Sequence, residues 1–132
     1  MEITVTQEQN RVPVTVFHIA GKTDSESATI LQKKAMEMID DGARYLIFDL
    51  SKVPYMSSAG LRVLQEVFSK LRALSSKESD KDTYRKIADG SYQLPYLKIV
   101  NPTSEVLEVL KMSGFDMLVS IEKDLKKAMA SI

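Results

Sequence analysis

The sequence predicts an α/β domain with a mixed sheet and helices packed on it. Three observations carry this expectation. Short apolar runs rich in Val, Ile and Leu alternate with stretches whose apolar residues recur every three or four positions. The run Tyr45-Leu46-Ile47-Phe48-Asp49-Leu50 is nearly all apolar, as in a strand covered on both faces. The chain has 132 residues, 44% of them hydrophobic, which suits a single domain with one core. The predicted order is β-β-α-β-α-β-α-β-α.

Ile3 and Val5 alternate with Glu2 and Thr4 in a first strand, and Val12, Val14, Val16 and Ile19 mark a second that ends at Ala20-Gly21. The polar stretch Glu8 to Arg11 suits the turn between them, and Pro13 suits a strand start or an edge. Ala28, Leu31, Ala35, Met38 and Ile39 form a helical stripe, with Asp24 or Ser25 as N-cap and Asp41-Gly42 as its end. After the apolar strand, a loop from Ser51 to Met56 leads to a second helix beginning near Ser57 or Ser58. Its stripe is Leu61, Leu64, Phe68, Leu71 and Leu74.

Residues 75 to 94 interrupt the pattern and read as a polar, mobile insertion, with Tyr84 to Ala88 as one helical turn. Tyr96 to Val100 restores a strand. A helix from the Asn101-Pro102-Thr103-Ser104 segment follows, with Val106, Leu107 and Leu110 inward and Gly114 at its close. Leu118 to Ile121 is a short strand. Leu125, Ala128, Met129 and Ile132 give a last helix.

Composition excludes several functions. Lys plus Arg number 18 and Asp plus Glu number 18, so the net charge is zero. That balance argues against direct nucleic-acid binding. The exception is a short cluster, Lys123, Lys126 and Lys127, which reads as a solvated helix face. The absence of cysteine removes disulfides, thiolate catalysis and cysteine-based metal sites, and fits a reducing cytoplasm. The opening residues do not read as a signal peptide, and no apolar run approaches the ~20 residues that span a bilayer.

Little enzyme chemistry is visible. The only histidine, His18, sits in a strand run without a nearby ligand partner and reads as structural. The five glycines stand apart, so there is no phosphate-cradling loop. The acidic pairs Asp40-Asp41 and Asp80-Asp82 lie in turns and polar loops. No metal or cofactor is expected. A serine hydrolase reading of Ser58-Ala59-Gly60 fails on two counts. Met56 stands where an elbow glycine belongs, and His18 precedes the serine instead of following it.

The segment Val53 to Leu61 remains the one with unusual organisation. It follows a buried strand and opens an apolar helix, and sites in open α/β sheets form at the carboxyl ends of strands. Two hydroxyls and two small residues leave that helix start accessible. Gly60 costs roughly 0.5–1 kcal/mol against Ala in a helix. Either another backbone approaches it closely, or Ser57 is simply an N-cap and Gly60 simply fits the packing.

Tyr55-Met56-Ser57-Ser58-Ala59-Gly60-Leu61 resembles the signature of STAS domains, in particular of bacterial anti-sigma factor antagonists. Phe48-Asp49-Leu50 ahead of it, Gly21-Lys22-Thr23-Asp24, Leu97 to Pro102, and Leu110 to Phe115 are similar to further family segments in the same order. Three departures stand out: Ser57 replaces the usual Asp, Thr23 replaces an apolar residue, and residues 75 to 94 are extra.

The resemblance implies a single STAS domain over residues 1–132, carrying that polar insertion at about 75–94. Its mixed sheet would have four or five strands, with four helices mainly on one side. It also implies a non-enzymatic cytoplasmic partner switch. An anti-sigma factor that is itself a serine kinase would bind the unmodified chain and phosphorylate Ser58, with Ser57 the second choice. A serine phosphatase would reset it. Asp24, Ser57, Ser58, Ala59, Gly60 and Leu61 would form the docking patch. A weak homo-oligomer fits this scheme, and so does a STAS regulator of a kinase and phosphatase complex that controls no sigma factor.

Overall fold

A hairpin opens the chain. In the computed structural model, which describes residues 2–75 and 94–131, β1 (Glu2–Gln9) pairs antiparallel with β2 (Pro13–Ala20), from Glu2 opposite Ala20 to Gln9 opposite Pro13. The turn is Asn10 to Val12, later than the Glu8 to Arg11 expected. Thr6, Gln7, Glu8 and Gln9 continue the strand although they are polar. β1 lies at the sheet edge, where backbone pairing on one side suffices and outward side chains meet water.

Next come α1 (Ser25–Asp40), β3 (Leu46–Lys52), α2 (Ser58–Ser75), β4 (Leu94–Val100), α3 (Ser104–Ser113), a 3₁₀ turn (Phe115–Met117), β5 (Val119–Glu122) and α4 (Leu125–Ala130). The element order expected from sequence is therefore present among the described residues. β3 runs two residues into the expected loop, α3 begins after the Asn-Pro pair, and the 3₁₀ turn was not foreseen. β4 begins at Leu94, before the expected Tyr96, so that Ser75 and Leu94 of the expected insertion belong to α2 and β4, and residues 76–93 lie outside the described residues. The helical turn expected at Tyr84 to Ala88, and Ile132, lie outside the described residues.

The strands lie in sequence order, β1-β2-β3-β4-β5, with the last three pairings parallel. Each parallel step is bridged by α1, α2 or α3. Such crossovers are right-handed. Three steps in one direction therefore place all three helices on one face of the sheet.

That face carries the main core. Phe17, Leu46, Phe48, Leu50, Leu97 and Ile99 meet Leu31, Ala35, Leu64, Leu71, Val106 and Leu110. Phe17 and Phe48 stack with ring centres 5.0 Å apart, and Phe68 meets Phe115 edge-on at 6.0 Å. The opposite face is closed only in part. Ala128 of α4 covers Val14, Val16, Ile47 and Val100 there. No helix among the described residues is long and apolar enough to cross a membrane.

Candidate functional site

The three helices that bridge the parallel strands start at the strands' carboxyl edge, and each start is capped by a short polar side chain. Asp24 caps α1: one of its carboxylate oxygens accepts from the Ser27 backbone N–H and from the Ser27 hydroxyl, both at 2.9 Å. The Ser27 backbone N–H, followed by its hydroxyl, holds the Asp24 carboxyl below its ordinary pKa. Ser57 caps α2: its Oγ accepts from Gly60 N–H at 3.3 Å, and its carbonyl accepts from Leu61 N–H at 3.0 Å. Thr103 caps α3, accepting from Val106 N–H and donating its own hydroxyl to the Val53 carbonyl at 3.0 Å.

The loops before α1 and α2 are stitched together. Thr23 and Met56 form a parallel bridge. Thr23 N–H donates to the Tyr55 carbonyl at 3.1 Å, and Ser57 N–H donates to the Thr23 carbonyl at 2.9 Å. The buried Thr23 hydroxyl also donates to the Tyr55 carbonyl, at 3.3 Å. An apolar residue there would leave that contact unmade, which explains the threonine that the sequence marked as a departure.

The expected site residues thus come together but differ in environment. Ser57 is half-buried, with its hydroxyl engaged as the cap. Ser58, the first residue of α2, is exposed, and its hydroxyl has no partner among the described residues. Ala59 and Leu61 are half-buried. Asp24 is exposed although its carboxylate is engaged. Gly60 is buried: a β-carbon added there would stand 2.7 Å from Thr23 Oγ1 and 3.0 Å from Met56 Cγ. The close approach at Gly60 is made by this chain's own Thr23, and Ser57 caps the helix.

Two exposed residues near Ser58 in sequence, Tyr55 and Arg62, were not among the expected docking residues. Tyr55 is 52% exposed three positions earlier. Arg62 is exposed one helical turn later. The four-residue spacing from Ser58 to Arg62 is the signal that could have found the second.

A separate polar cluster occupies the opposite sheet face. His18 does have a partner: its Nδ1 lies 3.1 Å from Asp49 Oδ2, and its Nε2 lies 3.2 Å from Thr6 Oγ1. Asp49 Oδ1 accepts from Ser51 N–H at 3.1 Å. Burial pushes the Asp49 carboxyl up. The hydrogen bonds from Ser51 and His18 outweigh it and leave the group below its ordinary value. Among the described residues no cluster of three or more His, Asp or Glu could hold a metal ion.

The STAS domain profile matches residues 4–77, more than half of the chain. BtrV of Bordetella bronchiseptica, assigned as an anti-sigma factor antagonist, is 34% identical over 59 residues, or 45% of this chain. The match spans about half, 51%, of that relative's length. An anti-sigma factor antagonist from Mycobacterium paratuberculosis superposes with a TM-score of 0.72 at 21% identity, covering 99% of this chain and 94% of that one. The phosphorylated form of SpoIIAA, a Bacillus cell fate determinant, superposes at 0.65 and 16% identity, with 96% and 97% covered. At these identities the two structural likenesses concern the fold. With its profile match, its five-stranded mixed sheet and the Ser-Ser-Ala-Gly-Leu helix start, this chain belongs to the STAS domain family.

Proposed function

We propose that this chain is an anti-sigma factor antagonist that works by partner switching and is not an enzyme. Unmodified, it binds an anti-sigma factor that is also a serine kinase. Ser58 Oγ then takes the γ-phosphoryl group of ATP, giving ADP and a proton, and a phosphatase later hydrolyses the ester. The cycle is cytoplasmic. The observation that carries this reading is the contrast between the two hydroxyls: Ser57 is spent as a cap, whereas Ser58 stands open at the first position of α2. The anti-sigma factor antagonists among the similar proteins support the partner class.

The physics fits a switch in binding and not in fold. A phosphate on Ser58 carries about −1.5 to −2 charge. A helix start tolerates an anion, because its backbone N–H groups and dipole favour negative charge. The domain therefore stays folded. Docking suffers instead, since a small neutral patch can be desolvated against a partner and a phosphate resists it. Each 1.4 kcal/mol of that resistance is about tenfold in affinity.

The test is a calorimetric titration with a small serine kinase encoded near a sigma factor in the same genome. Ser58→Ala should bind as the wild type does and resist modification by ATP, read by mass spectrometry. Ser58→Asp should bind at least about tenfold more weakly. Equal binding by Ser58→Asp and wild type, or phosphate found on another residue, overturns the proposal.

A further inference from the structure

We infer that Arg62 is the internal receiver of a phosphoryl group on Ser58, so that one modification both adds an anion to the docking patch and withdraws a cation from it. The inference rests on the switch proposed above and names a second residue in it.

Ser58 and Arg62 are four positions apart on α2, and both are exposed. Residues at this spacing share a helix face, with β-carbons about 5–6 Å apart. Long side chains on a helix run back toward its N-terminus, a direction that lets Arg62 reach the turn that holds Ser58. Its planar guanidinium can grip a phosphate through two parallel N–H donors. Arg62 also lines a shallow groove between α1 and α2, together with Thr29, Gln32, Ala59 and Glu66.

The competing anion on that face is Glu66, a further turn along. Its carboxylate accepts a hydrogen bond from Gln32 of α1. Among the described residues Lys70 pairs with Asp40 and His18 lies beside Asp49, and Arg62 is in neither contact. In the unmodified chain Arg62 thus has no ion-pair partner among the described residues, and one helical turn from the docking serine it suits an acidic group on the partner. Phosphorylation draws the guanidinium onto the phosphate and leaves that acidic group facing net negative charge.

The test reads the phosphate directly. Phosphoserine is installed at position 58 during translation, which needs no kinase, and its second ionisation is followed by ³¹P NMR. Other charged groups near in chain or fold are Glu66 of α2, and Lys22, Asp24 and Glu26 at the start of α1, whose loop the Thr23–Met56 bridge joins to the loop before α2. Carboxylates raise that ionisation and cations lower it. The comparison between variants isolates Arg62.

Arg62→Gln should raise the apparent pKa by about 0.3 unit relative to the unsubstituted phosphoprotein. Arg62→Lys, which keeps the charge but loses the fork, should fall between the two. An unchanged or lowered value in Arg62→Gln overturns the inference. Because no kinase is used, failure of a kinase to modify Ser58 strikes only the proposed function.

Discussion

Thr23 Oγ1 lies where a side chain on Gly60 would begin: a β-carbon added to that glycine would stand 2.7 Å away, with Thr23 Cβ and Met56 Cγ each at 3.0 Å. The start of α2 is therefore seated against the loop that opens α1, and the seat has no room for a methyl group. Overpacking of this kind costs about 1–3 kcal/mol. Alanine's better helix propensity returns at most about 1 kcal/mol. Gly60→Ala is expected to destabilise the domain by about 1–2 kcal/mol in urea denaturation. Adding Thr23→Ala should recover part of that loss, a coupling that independent sites would not show.

The two neighbouring hydroxyls should separate cleanly in stability. Ser57 supplies the cap of α2, so Ser57→Ala should cost about 1 kcal/mol. Ser58 makes no such bond, and Ser58→Ala should stay within about 0.5 kcal/mol of wild type. Equilibrium denaturation of the two variants, without any partner present, checks the assignment. A larger loss at Ser58 than at Ser57 would reverse it.

Acid should weaken the fold in part through Asp49. Burial alone would raise its pKa, but Ser51 and His18 hold it below the ordinary value of 3.8. The folded state therefore binds this proton less readily than the unfolded chain does. The resulting stability is present above the unfolded pKa and is lost as the pH falls through the lower folded one. Urea midpoints measured from pH 6 down to pH 2 should fall less steeply for Asp49→Asn than for wild type. Parallel curves would show that the carboxylate has no such role.

Much of the architecture is legible in the chain because its signals are local. The β-to-α change of period after Gly21, the caps at Asp24 and Ser57, and the left-handed Gly114 that closes α3 each depend on a few adjacent residues. What escaped is set by distance. β1 extends through Thr6 to Gln9 because β2 pairs with it, and nothing in those polar residues announces a strand. His18 finds Asp49 only because β2 and β3 lie side by side, 31 positions apart along the chain. The buried hydroxyl of Thr23 is explained only by the Tyr55 carbonyl on the adjoining loop. At the helix start, sequence preferred Ser58 to Ser57, but the hydrogen bond that engages the Ser57 hydroxyl as the cap is visible only in the structure.

Sequence order and spatial order coincide across the five strands. A chain emerging from the ribosome can therefore add each strand to an edge already built, beginning with the N-terminal hairpin. No described strand has to wedge between two that are already paired. The segment that joins α2 to β4, residues 76–93, leaves that order untouched. Its length can drift at a closure cost of only about 0.6 kcal/mol per doubling. Evolution can thus lengthen or shorten that crossover while pairing order, and the helix starts at the far end of the strands, remain as they are.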